Sequence, residues 1–254
     1  MGLRLNCRSP RAPDVLPLPA RLVVHMDSPA TPRPAATVIL LRDGPEGPEV
    51  WLMERSRSVG FMASAWVFPG GRVDEADASL AASKTPDDAI PRAFWTAAAR
   101  ELEEEAGVRL GDSGGYHLHT MRPWSHWITP EVESRRYDTW FFVARLPEGA
   151  LAVHDGGEAV AGEWFRPSAA IERYSMGELA LAPPTLRTLT ELTAFENVEA
   201  VLAAPRRTPP IMPTFEFEGE RVWVLLPGDP AHPSPDAVDP PFRYEFSAGR
   251  WWKR

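Results

Sequence analysis

Residues 100–108 read Arg100-Glu101-Leu102-Glu103-Glu104-Glu105-Ala106-Gly107-Val108, and this run governs how the rest of the chain is read. The pattern predicts a helix from about Pro91 to Ala106, with Gly107 standing where a left-handed C-terminal cap belongs. Asp87 or Asp88 is expected to cap its start, with Pro91 in the first turn. On a helical wheel Trp95, Ala98, Ala99, Leu102 and Ala106 share one face, fit to pack on a sheet. Glu101, Glu104 and Glu105 fall together beside that face, with Arg100 four residues before Glu104. Like charges at i, i+3 and i+4 cost a helix roughly a few tenths of a kcal/mol per pair. Acids in a last turn also face the negative end of the helix dipole. An acidic run is ordinarily a solvated face. Kept at an unfavourable end, it asks instead for a cation, and hard carboxylate oxygens on one face suit Mg²⁺ or Mn²⁺.

Outward from this helix, strands and helices alternate. Residues 35–42 read as a buried strand, with turn residues over 43–48 and a hairpin partner from Glu49 to Glu54. Phe68-Pro69-Gly70-Gly71 is a tight loop. Downstream, strands are expected at Tyr116–Ile128, Arg136–Leu146 and Gly162–Phe165. Helices are expected at Pro167–Tyr174, Pro184–Ala194 and Val198–Ala204. Hairpins are expected at Phe215–Leu226 and Phe242–Trp252. The mixture points to a layered α/β (mixed α+β) domain. The division read from the sequence is a flexible leader over 1–34, a main domain over 35–204, and a Pro-rich extension over 205–254 whose hairpins pack on it.

Apolar residues make up 44% and charged residues 24%, which suits a globular chain with a core. No apolar run is long enough to cross a membrane as a helix. The net charge of −8 argues against a nucleic-acid binder, since such binding rests on cationic side chains. A phosphorylated substrate would need a cation to bridge two negative partners. Cys7 is the one cysteine, which suits a reducing compartment; a cytoplasmic location is expected. The sequence leaves a homodimer open.

Residues 100–108 resemble the end of the Nudix box, R-E-U-x-E-E-x-G-U with U apolar, at every fixed position. Gly70-Gly71 resemble its opening glycines, and counting from Gly71 the first acid falls on Asp77, where glutamate is usual. Between Asp77 and Arg100 stand residues 78–99, against seven in the usual pattern, so the box carries an insertion, placed at about 78–92. Gly60-Phe61-Met62, Phe68 to Asp74, Arg135 to Phe142 and Leu181 to Thr185 look like the branch that includes the peroxisomal acyl-coenzyme A diphosphatases.

The resemblance implies a Nudix α/β/α sandwich and a pyrophosphohydrolase that cuts a phosphoanhydride in a nucleoside diphosphate linked to another group. It implies Glu101, Glu104 and Glu105 as metal ligands, joined by Gly71 through its backbone oxygen. Glu104, Glu101 and Arg100 are the catalytic candidates, with Arg100 orienting a glutamate. Arg136 and Arg55 are candidates for substrate phosphate. The base that takes the water proton is open between Glu104, Glu158 and Glu163. Coenzyme A or acyl-CoA is the favoured substrate, although the coenzyme A signature wants an arginine and a glycine where this chain has Gly60 and Ser64. ADP-ribose, a dinucleotide or a nucleotide sugar also fits. So does a sensor that binds without cutting, although such a module has no need of Glu101, Glu104 and Glu105 together.

Overall fold

The computed structural model describes residues 29–56, 64–219, 221–234, 238 and 243–254. Most of the expected leader, with Gly60-Phe61-Met62, lies outside the described residues.

The centre is an eight-stranded mixed sheet. Strand β1 (Arg33–Gly44) turns through a hairpin into β2 (Gly47–Arg55), and short strands β3 (Trp66–Val67) and β4 (Gly70–Arg72) follow. Helix α1 spans Arg92–Ala106, and a small hairpin, β5 (Gly111–Asp112) and β6 (Gly115–Tyr116), comes next. Then come β7 (Met121–Ile128), β8 (Tyr137–Arg145) and β9 (Ala159–Phe165). Helices α2 (Pro167–Met176), α3 (Pro183–Leu192) and α4 (Val198–Ala203) lead to β10 (Pro210–Ile211). Strand β1 runs parallel to β8 on one edge and pairs antiparallel with β2 and β4 on the other.

Alternation along β1 sorts the core into two layers. Val38 and Leu40 face α1, meeting Trp95, Ala98, Ala99 and Leu102. Ile39 and Leu41 face the opposite layer, with Leu186 and Leu189 of α3 and Val198 and Val201 of α4. Trp95 lies 4.4 Å from the Phe142 ring of β8 and is fully buried. Each fully buried side chain of this size contributes roughly 1.5–3 kcal/mol. The arrangement is an α/β/α sandwich. A four-stranded antiparallel sheet, β11 (Thr214–Glu218), β12 (Arg221–Leu225), β13 (Arg243–Ser247) and β14 (Arg250–Lys253), lies against the second layer. Its Val222, Val224, Tyr244 and Trp251 enter that core, and Tyr174 of α2 donates its hydroxyl to the Trp251 carbonyl at 2.7 Å.

Two local readings are corrected. Asp87 and Asp88 do not cap α1: Asp87 accepts from Ala89 N–H and Asp88 from the Thr85 hydroxyl, closing a turn of their own, and Pro91 stands at the N-cap. The strand expected at Tyr116–Ile128 is broken by a 3₁₀ turn at Leu118–Thr120, because the β5–β6 hairpin pairs with the inserted loop and not with the main sheet. His117 and His119 stack at 5.5 Å beside that turn.

Candidate active site

The inserted residues form a loop that leaves and returns to one place. A 3₁₀ turn at Glu75–Ser79 holds Asp77, and the chain then pairs Ala81 and Ser83 with Tyr116 through backbone hydrogen bonds. Arg92 ties the loop back by donating to the carbonyls of Leu80 and Ser83, at 2.9 Å each. Thr96, one turn before Arg100, donates to the Asp77 carbonyl at 2.6 Å. Asp77 thus sits against α1, fully buried, despite the residues placed between them.

Arg100 is the hub. Its Nε and Nη2 donate to the two oxygens of Asp77 at 2.8 and 3.0 Å. Its Nη1 donates to Glu101 at 2.8 Å and to Glu104 at 2.9 Å, and Nη2 also reaches the Arg72 carbonyl at 3.0 Å. A planar fork with five N–H donors does what an ammonium cannot, holding three carboxylates in fixed directions at once. Those partners push the Arg100 pKa further above its usual value, the Asp77 hydrogen bonds most of all.

The glycine loop meets the acids from the other side. Strand β4 pairs with β1, Gly70 opposite Thr37 and Gly71 opposite Ala36. Gly70 N–H donates to Glu105 Oε2 at 2.8 Å. A Cβ on Gly71 would lie 2.5 Å from Glu101 Oε1, so only glycine lets the loop and that carboxylate approach so closely. Glu103 faces away and bonds to Arg109 at 2.6 Å and to the Tyr116 hydroxyl at 2.8 Å.

Glu158 and Arg55 complete the group. Val153 and Asp155 donate backbone N–H to the Ala106 and Glu105 carbonyls, docking this loop on the end of α1. Ser56 N–H donates to the Glu158 carbonyl, which sets Arg55 and Glu158 side by side with 3.7 Å between Arg55 Nη2 and Glu158 Oε2. A register shift between Glu54 and Arg55 in the β2–β9 pairing marks the place where Arg55 turns towards the acids. Arg55 Nε is buried and has no hydrogen-bond partner among the described residues.

Charge is unbalanced here. Asp77, Glu101, Glu104, Glu105 and Glu158 face the guanidinium groups of Arg100 and Arg55. Burial raises Glu101 above its usual pKa against the pull of Arg100. Burial pushes Glu105 up to about 7, with Glu101 and Glu158 adding to the rise and Gly70 N–H and Arg55 opposing it. Among the described residues no three such side chains converge on a common point, because Glu101 and Glu104 turn onto Arg100 and Glu105 onto Gly70. The donor set nevertheless fits a hard divalent cation: all oxygen, adjacent on one helix, and short of positive charge.

Two candidates lie elsewhere. Glu163 pairs with Arg173 of α2 at 3.1 Å, on the opposite layer from α1. Arg136 is buried at 6% exposure and donates to the carbonyls of Thr129 and Ala30, at 3.0 and 2.8 Å. Its third nitrogen, Nη2, lies 3.5 Å from Met212 Sδ, so the structure places Arg136 in the fold and not beside the acids of α1. Sequence reasoning missed Asp155 and Thr96, whose part is to position the loop and the helix; the placing of Thr96 four residues before Arg100 was the available signal.

The NUDIX domain profile matches residues 31–186. The chain is 24% identical to the acyl-coenzyme A diphosphatase NUDT19 of Xenopus laevis over 73% of this chain and 71% of that one. It is 27% identical to the protein of the same name in Gallus gallus, over 79% and 80%. Among solved structures, a NUDIX hydrolase from Alicyclobacillus acidocaldarius superposes with a TM-score of 0.64 at 25% identity, covering 70% of this chain and 99% of that one.

Proposed function

This chain belongs to the NUDIX domain family as a pyrophosphohydrolase, and from that premise we propose that it uses a divalent cation to cleave the diphosphate of coenzyme A or an acyl-CoA. The observation that carries the metal reading is the surplus of carboxylates around Glu105 on one end of α1. The observation that favours coenzyme A is the match to two relatives named for that activity. Backbone geometry supports it as well. Ser64 stands where the coenzyme A signature wants glycine, and its φ of 60° is the left-handed conformation that glycine adopts freely.

Glu101, Glu104 and Glu105 would hold Mg²⁺ or Mn²⁺, with the Gly71 carbonyl beside them. When bound, the cation neutralises the diphosphate and lowers the pKa of an attacking water. Arg100 sets the directions of Glu101 and Glu104 from its anchor on Asp77. Arg55 has an unspent buried donor for a phosphate oxygen. Glu158 takes the water proton: it is largely exposed and, among the described residues, its ion pair to Arg55 is long, whereas Glu104 is bonded to Arg100 and Glu163 to Arg173.

The test is a substrate panel of CoA, acyl-CoA, ADP-ribose and NADH with Mg²⁺ or Mn²⁺ in ¹⁸O-labelled water, read by product mass. CoA and acyl-CoA are expected to give two phosphorylated products, with label on phosphorus. Glu104→Gln should abolish turnover while the fold survives. Wild-type turnover in that variant would refute the metal assignment, and preference for ADP-ribose or NADH would refute the substrate.

A further inference from the structure

Glu158 follows two glycines, in the run Asp155-Gly156-Gly157-Glu158. Successive glycines leave a chain more conformational freedom than any other pair. A side chain carried just beyond them sweeps a wide volume unless the backbone is held. Here it is held from two sides. The Glu158 carbonyl accepts from Ser56 N–H at 2.7 Å, and Ala159 stands opposite Arg55 in the β2–β9 pairing. On the other side the Asp155 carboxylate accepts Glu158 N–H at 3.2 Å through Oδ2 and Ala159 N–H at 3.3 Å through Oδ1.

Both glycines serve that clasp. Gly156 has a φ of 75°, the left-handed conformation. A Cβ on Gly157 would lie 2.8 Å from Asp155 Oδ2, in space that the carboxylate needs. The main chain of Asp155 is anchored as well: its N–H donates to the Glu105 carbonyl at 3.1 Å, beside the bond from Val153 to Ala106. One residue therefore joins the end of α1, where the proposed metal ligands stand, to the backbone amide of Glu158. Residues 155–158 are exposed and both carboxylate bonds are long, so the clasp contributes little to stability. What it supplies is direction.

We propose that Asp155 is a positioning residue for hydrolysis: its two carboxylate oxygens fix the Glu158 backbone and so keep the Glu158 carboxylate in reach of the attacking water. This rests on the reading of Glu158 as the base. Two N–H groups are held by two acceptors at once. In asparagine an amide nitrogen, which only donates, replaces one of those acceptors, and alanine offers neither.

Steady-state hydrolysis of CoA with Mg²⁺, or of whichever substrate of the panel turns over, tests this in Asp155→Ala, Asp155→Asn, Glu158→Gln and the double variant of Asp155→Ala with Glu158→Gln. Asp155→Ala should lower kcat about tenfold and leave KM within about twofold, because the group it misplaces acts on the reacting water. Asp155→Asn should fall between alanine and the parent. In the Glu158→Gln background Asp155→Ala should cost nothing further, since it works through the group already removed. Amide exchange in EDTA, read by nuclear magnetic resonance, probes the clasp apart from turnover. In Asp155→Ala the Glu158 and Ala159 amides should exchange about threefold faster, with Val153 unchanged. Parent-like turnover in Glu158→Gln would overturn the base assignment and this inference with it. A loss in Glu158→Gln with none in Asp155→Ala would overturn the inference alone. So would an equal cost of Asp155→Ala in both backgrounds, or Glu158 and Ala159 amides that keep the parent's exchange rates.

Discussion

The guanidinium of Arg100 grips the carboxylate of Asp77 at two points, 2.8 and 3.0 Å, across the whole inserted loop. Aspartate is a methylene shorter than the glutamate usual at that place in the Nudix box. The 3₁₀ turn makes up for it by bringing the backbone in, with Asp74 N–H donating to Asp77 Oδ2 at 2.8 Å. Asp77→Asn removes the charge that fixes Arg100. We expect turnover to fall about 10–100-fold and stability to drop by about 3 kcal/mol, the lower end of the range for breaking a buried pair. Steady-state rates and thermal unfolding check this; unchanged rates would mean that Arg100 is held by its glutamates alone.

Gly71→Ala tests the contact between loop and helix. The added Cβ would fall 2.5 Å from Glu101 Oε1, and the backbone opposite is pinned by β1. The carboxylate must therefore move. Turnover is expected to drop by about an order of magnitude, while far-ultraviolet circular dichroism keeps its parent shape. Gly70→Ala should harm folding itself, because its Cβ would meet the Ala36 carbonyl oxygen at 2.5 Å.

Crowding of negative charge should leave the cation-free protein less stable than its packing allows. Glu105 is the most burdened group, pushed up to about 7. Because its folded pKa is raised, its ionisation destabilises the folded state progressively as pH climbs from the unfolded value to about 7, and the loss is constant above that. Glu105→Gln in EDTA at pH 8 is expected to raise the melting midpoint by about 2–4 °C and to abolish hydrolysis. A lower midpoint would show that the carboxylate serves the fold more than the function.

Asp229 and Arg243 make a second fork, at 2.6 and 2.7 Å, between a buried carboxylate and a half-buried guanidinium, joining β13 to the loop after β12. The Arg243 guanidinium holds the Asp229 carboxyl below its usual pKa. A depressed acid contributes stability above its unfolded pKa of about 4 and loses it as pH falls through the folded value. Asp229→Asn should cost about 1–2 kcal/mol at pH 7, less than a fully buried pair because solvent screens the half-buried Arg243. The gap from the parent should narrow below about pH 4, as denaturant melts across pH 3–8 would record. A gap that stays constant with pH would assign the loss to packing.

Helix α1, its Gly107 cap and its acidic stripe were legible because one helix writes its own periodicity and needs no distant partner. The place of Asp77 was not, because it depends on Thr96, Arg92 and Tyr116 closing the loop from far along the chain. Arg136 read as a candidate for substrate phosphate for the same reason: its acceptors, Ala30 and Thr129, come from segments whose approach no local pattern encodes. Glu158 lies outside the strand expected at Gly162–Phe165, so alternation assigned it no face to compare with that of Glu163. The Arg55 irregularity and the docking of residues 153–155 on α1 separate the two, and both are tertiary.

The hairpin between β13 and β14 carries strain that can be removed. Ala248 has a φ of 50° and Gly249 of 76°, so both central residues are left-handed, as a two-residue turn of this kind requires. Alanine bears a Cβ penalty there that asparagine offsets through local hydrogen bonding. Trp251, one residue beyond the turn strand's start, packs on Phe246 at 4.8 Å, and the Tyr174 hydroxyl bonds to its carbonyl, so the turn is fixed by the core behind it and cannot relax by changing type. Ala248→Asn is expected to raise stability by about 0.5–1 kcal/mol without touching hydrolysis. Denaturant unfolding would measure it. A loss of stability would mean that the hairpin adopts another turn in solution, and that Trp251 tolerates a shift in register.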